Sequence, residues 1–191
     1  MLAALRAQDP AVARPFWECF APTIFRILRC TLGAQAQIDD AAEVVLLCVF
    51  ERGRRLRPRS NLRQFVIKVT ARVACVELRR RRFSWFLLPS GSLADRRTKA
   101  QARSHPLPEA TLKFHRILDQ LRPLDRLAFV LHYVESLEVR EVAAAIGASA
   151  AQTRRRLRRS LAKVMQGIEG DPALRQIAAD AAVAEGRSAT G

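Results

Sequence analysis

The chain has little lysine. Only Lys68, Lys99, Lys113 and Lys163 contribute to its 33 basic residues, and the rest are arginine. It is also short of acid: 18 carboxylates leave a formal net charge of +15 and a pI of about 11.3. It has no apolar run of the roughly 18 residues that a membrane span needs. The longest run, Ala41 to Phe50, is broken by Glu43. The N-terminus lacks the basic-then-apolar order of a signal peptide, so a cytoplasmic chain with reduced thiols is expected. Cys19, Cys30, Cys48 and Cys75 form no CxxC pair, and His105, His115 and His132 do not stand at ligand spacing to them. That argues against a metal site and for buried apolar cysteines. No Gly-rich phosphate loop, carboxylate pair or nucleophile–base set marks an enzyme, and no cofactor is expected. No alternating strand pattern and no repeat of 20–50 residues is visible. What remains is an all-α chain whose arginine excess favours a polyanionic partner, nucleic acid first.

The arginines concentrate where a DNA reader would use them. In the stretch Leu121 to Val164, Val139, Val142, Ala143 and Ile146 recur as one helical stripe. Gly147 follows, where a helix ends cheaply in a left-handed residue, and Ser149 is a natural N-cap for the next helix. In that helix Ala150, Thr153, Leu157, Leu161 and Val164 form the expected buried stripe. Gln152, Arg155 and Arg159 lie roughly opposite Leu157, with Arg156 and Arg158 on the flanks and Arg154 beside them. A lone arginine run is as readily a solvated helix face. Here it starts within two turns of the cap of the second helix of a helix-turn-helix, where bases and phosphates are met.

Upstream, residues 1–32 read as helix, with Phe16, Phe20, Ile24, Ile27 and Leu28 inward and Pro22 expected to bend or restart it. A second helix runs from Asp39 or Asp40 to about Leu56 and is apolar nearly all round from Val44 to Phe50. Asn61 caps a third, with Leu62, Phe65, Val66, Val69, Val73 and Val76 inward. Arg63, Lys68, Arg72 and Arg79 lie on its polar face or flanks, and it ends in Arg79-Arg80-Arg81-Arg82, a second basic cluster. Residues 84–108 read as a flexible basic linker in which Trp85 to Leu88 pack back on the first domain. Pro108-Glu109 and Pro123 open two more helices before the helix-turn-helix, and 167–191 form an Ala-rich tail. The expected organisation is a helical domain at 1–83, the linker, a second helical domain at 109–166, and the tail.

The residues of the second domain resemble a known pattern. Leu121, Arg126, Phe129, Leu131, Tyr133, Glu135, Leu137, Glu141, Val142, Ala143, Ile146, Gly147, Ser149, Arg156, Leu157 and Arg159 stand in step with region four of bacterial sigma-70-type factors of the extracytoplasmic-function group. Region four corresponds to about 111–166 and region two to about 11–83. Ser136 replaces the usual Gly, and Ala151-Gln152-Thr153 replaces Gly-Thr-Val. The resemblance implies a domain that reads the promoter −35 element in the major groove and touches the β flap of RNA polymerase, within a protein that directs the polymerase core to promoters and carries out no chemistry itself.

Region two is similar in outline only. In its second helix Glu43, Val49 and Phe50 match, but Val44, Leu47 and Cys48 stand where the family carries an acid, a Gln and a Glu that dock on the β′ clamp helices. Asp40, Glu43, Val44, Leu47, Cys48 and Glu51 are therefore the candidate interface to polymerase or another partner, an anti-sigma protein included. The third helix, which in the family captures the −10 element, has Arg72 for the usual Asn and Val76 for the usual Asp. Arg63, Lys68, Arg72, Arg79, Arg80, Arg81 and Arg82 are its candidate DNA contacts. Three readings stay open: a working sigma factor; a sigma-derived regulator using the apolar stripe for a different partner, for itself or for its own second domain; and an ordinary helix-turn-helix regulator with a dimerisation or sensor domain.

Overall fold

The computed structural model describes residues 1–33, 38–57, 59–87 and 108–177, with side chains 82–87 set aside. Among them every regular element is helical. The expected first helix is two: α1 (Leu2–Ala7) and α2 (Ala13–Leu32). The break lies at Gln8, left-handed at φ 56, and at Asp9, whose carboxylate accepts the Ala11 N–H ahead of a short turn begun by Pro10. Pro22 neither stops nor restarts α2, which continues through it. α3 (Ile38–Gly53) turns Ala41, Ala42, Val45 and Val49 onto α2 and α4. Gly53 admits Leu5 of α1: a Cβ there would stand 2.6 Å from the Leu5 Cγ.

α4 (Leu62–Leu87) is capped by Asn61, which accepts the Gln64 N–H at 3.1 Å. It carries on past the expected boundary at 83. Its burial also differs from expectation. Val66 and Val69 are inward, but Val76 is 63% exposed, while Ile67, Thr70, Ala71, Ala74 and Cys75 are buried. The physical reason is that α4 is packed on more than one side, by α2 and α3 and by the C-terminal half. A single-stripe reading of a helix fails under that condition.

The C-terminal half comprises α5 (Glu109–Asp119), α6 (Pro123–Phe129), α7 (Val139–Ile146) and α8 (Ala150–Glu169). α5 and α6 start where their prolines indicate, with Pro108 as N-cap and Pro123 at the first turn. α6 runs directly into a wide π turn, Val130–Val134. After it Glu135 is buried and Ser136 is left-handed at φ 58, which explains why Gly is the usual residue there. α8 buries Thr153, Leu157, Ser160 and Val164. Ser160 takes the place expected for Leu161, which is 36% exposed. Its hydroxyl is satisfied within the helix by the Leu157 carbonyl. A helical turn at 172–177 follows, with Leu174 buried. Leu88 and the rest of the expected linker to 107, and the tail beyond 177, lie outside the described residues.

Candidate nucleic-acid interface

The turn between α7 and α8 is built as its sequence indicates. Gly147 takes φ 68 and its neighbour's N–H closes on the Ala143 carbonyl at 3.0 Å. Ser149 Oγ accepts the Gln152 N–H at 3.2 Å, and Gln152 Oε1 accepts the Ser149 N–H at 3.1 Å. Both side chains expected at the DNA are thus occupied in a reciprocal cap that fixes the start of the helix. α7 carries a second such cap between Glu138 and Glu141.

The five arginines of α8 separate into two groups. Arg156 and Arg159 donate to the carboxylate of Asp125, buried in α6, at 2.8 and 3.2 Å. Arg154, Arg155 and Arg158 are exposed and make no ion pair among the described residues. At offsets of three and four they lie on one face. The outward face of the helix is therefore three guanidiniums wide, and the inner two hold it to its own domain.

The arginines and lysine of α4 behave otherwise. Arg26 of α2 and Arg63 of α4 both donate to Glu135, whose side chain is 0% exposed, at 2.8 and 3.1 Å. The Glu135 hydrogen bond holds the Arg26 guanidinium above its ordinary value against the opposing effect of burial. Lys68 pairs with Glu141 of α7 at 2.8 Å and holds that carboxyl below its usual range. Gln64 also reaches Glu141, and both Cys75 Sγ and Arg79 Nη2 donate to the Ile146 carbonyl. Arg80 and Arg81 share Glu77, and Arg81 also donates to the Leu32 carbonyl. Gln64, Lys68, Cys75 and Arg79 recur at helical spacing and so form one face of α4, turned onto α7. Arg72 is exposed, and the Arg82 side chain lies outside the described residues. The sequence marked these positions as polar. It did not show that Glu135 and Glu141, in the other half, would meet them.

A second seam joins α2 to α5 and α6. Arg126 Nη1 donates to Asp119 at 2.7 Å and lies 3.5 Å from the Thr31 carbonyl. Burial pulls this guanidinium below its ordinary value, with Asp119 opposing.

The residues of the candidate partner face on α3 are mostly exposed. Asp40, Glu43, Val44 and Glu51 are exposed, as is Leu47, while Cys48 is half-buried. Val44 is 46% and Leu47 63% exposed. α3 packs on α1, α2 and α4, and among the described residues Val44 and Leu47 of this stripe stay open. Whether the side chains of Trp85 to Leu88 do so falls outside the described residues. Among the described residues no helix is long and apolar enough to cross a membrane. No cluster of His, Cys, Asp or Glu there could hold a metal ion.

Comparison with known proteins agrees with this geometry. Residues 111–164 match the family model of sigma-70, region 4. The fold is similar to that of the sigma factor RpoE from Bartonella quintana, solved in complex with the anti-sigma factor NepR. The TM-score is 0.64 at 14% identity, covering 83% of this chain and 97% of that one. No curated relative matches in sequence.

Proposed function

We propose, from the match of residues 111–164 to sigma-70, region 4, and from a fold similar to that of a sigma factor over 83% of the chain, that the protein is a transcription initiation factor of the extracytoplasmic-function group, which brings RNA polymerase core to promoters in the cytoplasm. The observation that carries the reading is the Ser149-capped helix α8, presenting Arg154, Arg155 and Arg158 outward while Arg156 and Arg159 anchor it on Asp125. Such a helix enters the major groove with its N-terminal turns at the bases. Arg154, Arg155 and Arg158 then contact the −35 element. The remainder of region 4 touches the β flap, the α3 face meets the β′ clamp, and the chain performs no catalysis.

Binding of duplex promoter DNA tests the first half of this reading. Affinity should fall steeply with salt, at roughly 0.9 log units per phosphate neutralised for each decade of salt. Arg154→Ala, Arg155→Ala and Arg158→Ala together should flatten that slope. An unchanged slope overturns the assignment of the recognition helix.

A second reading rests on a specific observation. Val44 and Leu47 are exposed where the family carries polar docking residues. A sigma-derived regulator would use this apolar stripe for another protein or for a second copy. Large exposed apolar patches usually mark such interfaces. A core-polymerase pull-down separates the two. Failure to bind core eliminates the working sigma factor, and recovery of binding by Val44→Asp with Leu47→Gln supports redirection of this face.

A further inference from the structure

Where α2, α4, α6 and α8 meet, the two halves enclose a half-open cavity of about 880 Å³. Arg79, Arg81, Arg122, Arg126 and Arg156 line it, with Thr31 among them. Leu32, Leu78, Pro123 and Leu124 form an apolar wall. Its size falls within the roughly 300–1,000 Å³ of small-molecule sites. Among the described residues three carboxylates answer the five guanidiniums: Glu77 on Arg81, Asp119 on Arg126 and Asp125 on Arg156. Arg79 is bound to a neutral carbonyl, and Arg122 is exposed without an ion pair among the described residues.

A second observation points the same way. Three of the lining residues carry a buried polar atom without a partner: Thr31 Oγ1, Arg126 Nε and Arg156 Nε. Thr31 is 1% and Arg126 9% exposed. The lining thus includes two polar side chains more than nine-tenths buried, Thr31 and Arg126, whose hydrogen-bonding capacity the described residues do not fill. The reachable groups of the cavity are the guanidinium ends, and guanidinium forks match phosphate oxygens in particular.

We infer that this seam is a binding site for a small phosphorylated ligand of nucleotide size, its phosphates among Arg79, Arg122, Arg126 and Arg156 and its less polar part against Leu32, Leu78 and Leu124. Both halves of the chain supply residues, so the ligand favours their packed arrangement. The site does not depend on the promoter-reading proposal, and the two can fail separately.

The test is calorimetric titration of the full chain with pyrophosphate, GTP, guanosine and poly-glutamate at fixed ionic strength. Pyrophosphate and GTP should bind, GTP the tighter, and guanosine should bind at least about tenfold more weakly than GTP. Arg122→Ala, exposed, and Thr31→Val, close to isosteric, should each weaken both phosphates about tenfold. Leu124→Glu, which places a carboxylate on the wall, should abolish binding. Arg154→Ala with Arg155→Ala should lose DNA and keep pyrophosphate. Three results would overturn the site: no heat from either phosphate up to about 10 mM, poly-glutamate binding without the phosphates, or pyrophosphate lost with Arg154 and Arg155 and unaffected by Arg122→Ala and Thr31→Val.

Discussion

Helices α4 and α8 both carry arginine clusters, and they use them in opposite ways. On α8 the partner of the inner arginines is Asp125, a residue of the same half, and three arginines remain turned to solvent. On α4 the partners of Arg63, Lys68 and Arg79 are Glu135, Glu141 and the Ile146 carbonyl, all in the other half. A basic residue has its meaning set by the nearest acid, and that acid can stand 72 positions away, as Glu135 does from Arg63. One cluster is a presented surface; the other is a fastener.

The comparison can be broken most sharply at its centre. Glu135→Gln removes the buried carboxylate that Arg26 and Arg63 share, two charge-assisted hydrogen bonds worth about 1.5–3 kcal/mol each. Because both arginines are partly exposed and rejoin water, a net loss of about 3 kcal/mol in urea unfolding is expected. A loss below about 0.5 kcal/mol would mean that the clamp contributes little. Next in size is the contrast between neighbours on α8. Arg158→Ala should weaken DNA binding by about 1–2 kcal/mol with stability unchanged, whereas Arg159→Ala should lower stability by up to about 1 kcal/mol through Asp125. Equal effects on DNA from both would erase the division drawn within α8.

Ser136→Gly relieves a left-handed residue and should stabilise by about 1 kcal/mol, read as a rise in Tm. The smallest effect is that of pH. Burial lowers the His115 pKa below its ordinary 6.5, with Asp119 opposing and Arg126 and Arg29 adding to the shift. The folded state then takes up its proton less readily than the unfolded chain. Stability from this group is present above about pH 6.5 and is lost as pH falls below it. His115→Gln should flatten the stability profile just below pH 6.5, and an unaltered profile would show that His115 does not contribute.

Local features were legible from sequence and distant ones were not. Gly147, Ser149, Asn61, Pro108 and Pro123 each carry their conformational role in their own chemistry, and the helices begin or end at them. The exposure of α3 was legible in part, since of the candidate partner residues Asp40, Glu43, Val44, Leu47 and Glu51 are exposed, while Cys48 is half-buried. The inward placement of Val76 failed because a periodicity argument assigns a helix one buried side, and α4 has more than one. The break at Gln8 was missed although Asp9-Pro10 is a cap-and-turn pair. The bonds from Arg63 and Lys68 across to Glu135 and Glu141 left no local trace at all.

The socket at Gly53 has a mechanical consequence. α1 is six residues long with Leu5 as its fully buried side chain, too short to persist by itself in water. It is held like a press-stud, one leucine snapped into the hollow that a missing side chain leaves in α3. Filling that hollow by Gly53→Ala should eject the stud, free the leading segment to proteases, and loosen the end of the helix whose outer side carries Leu47 and Glu51.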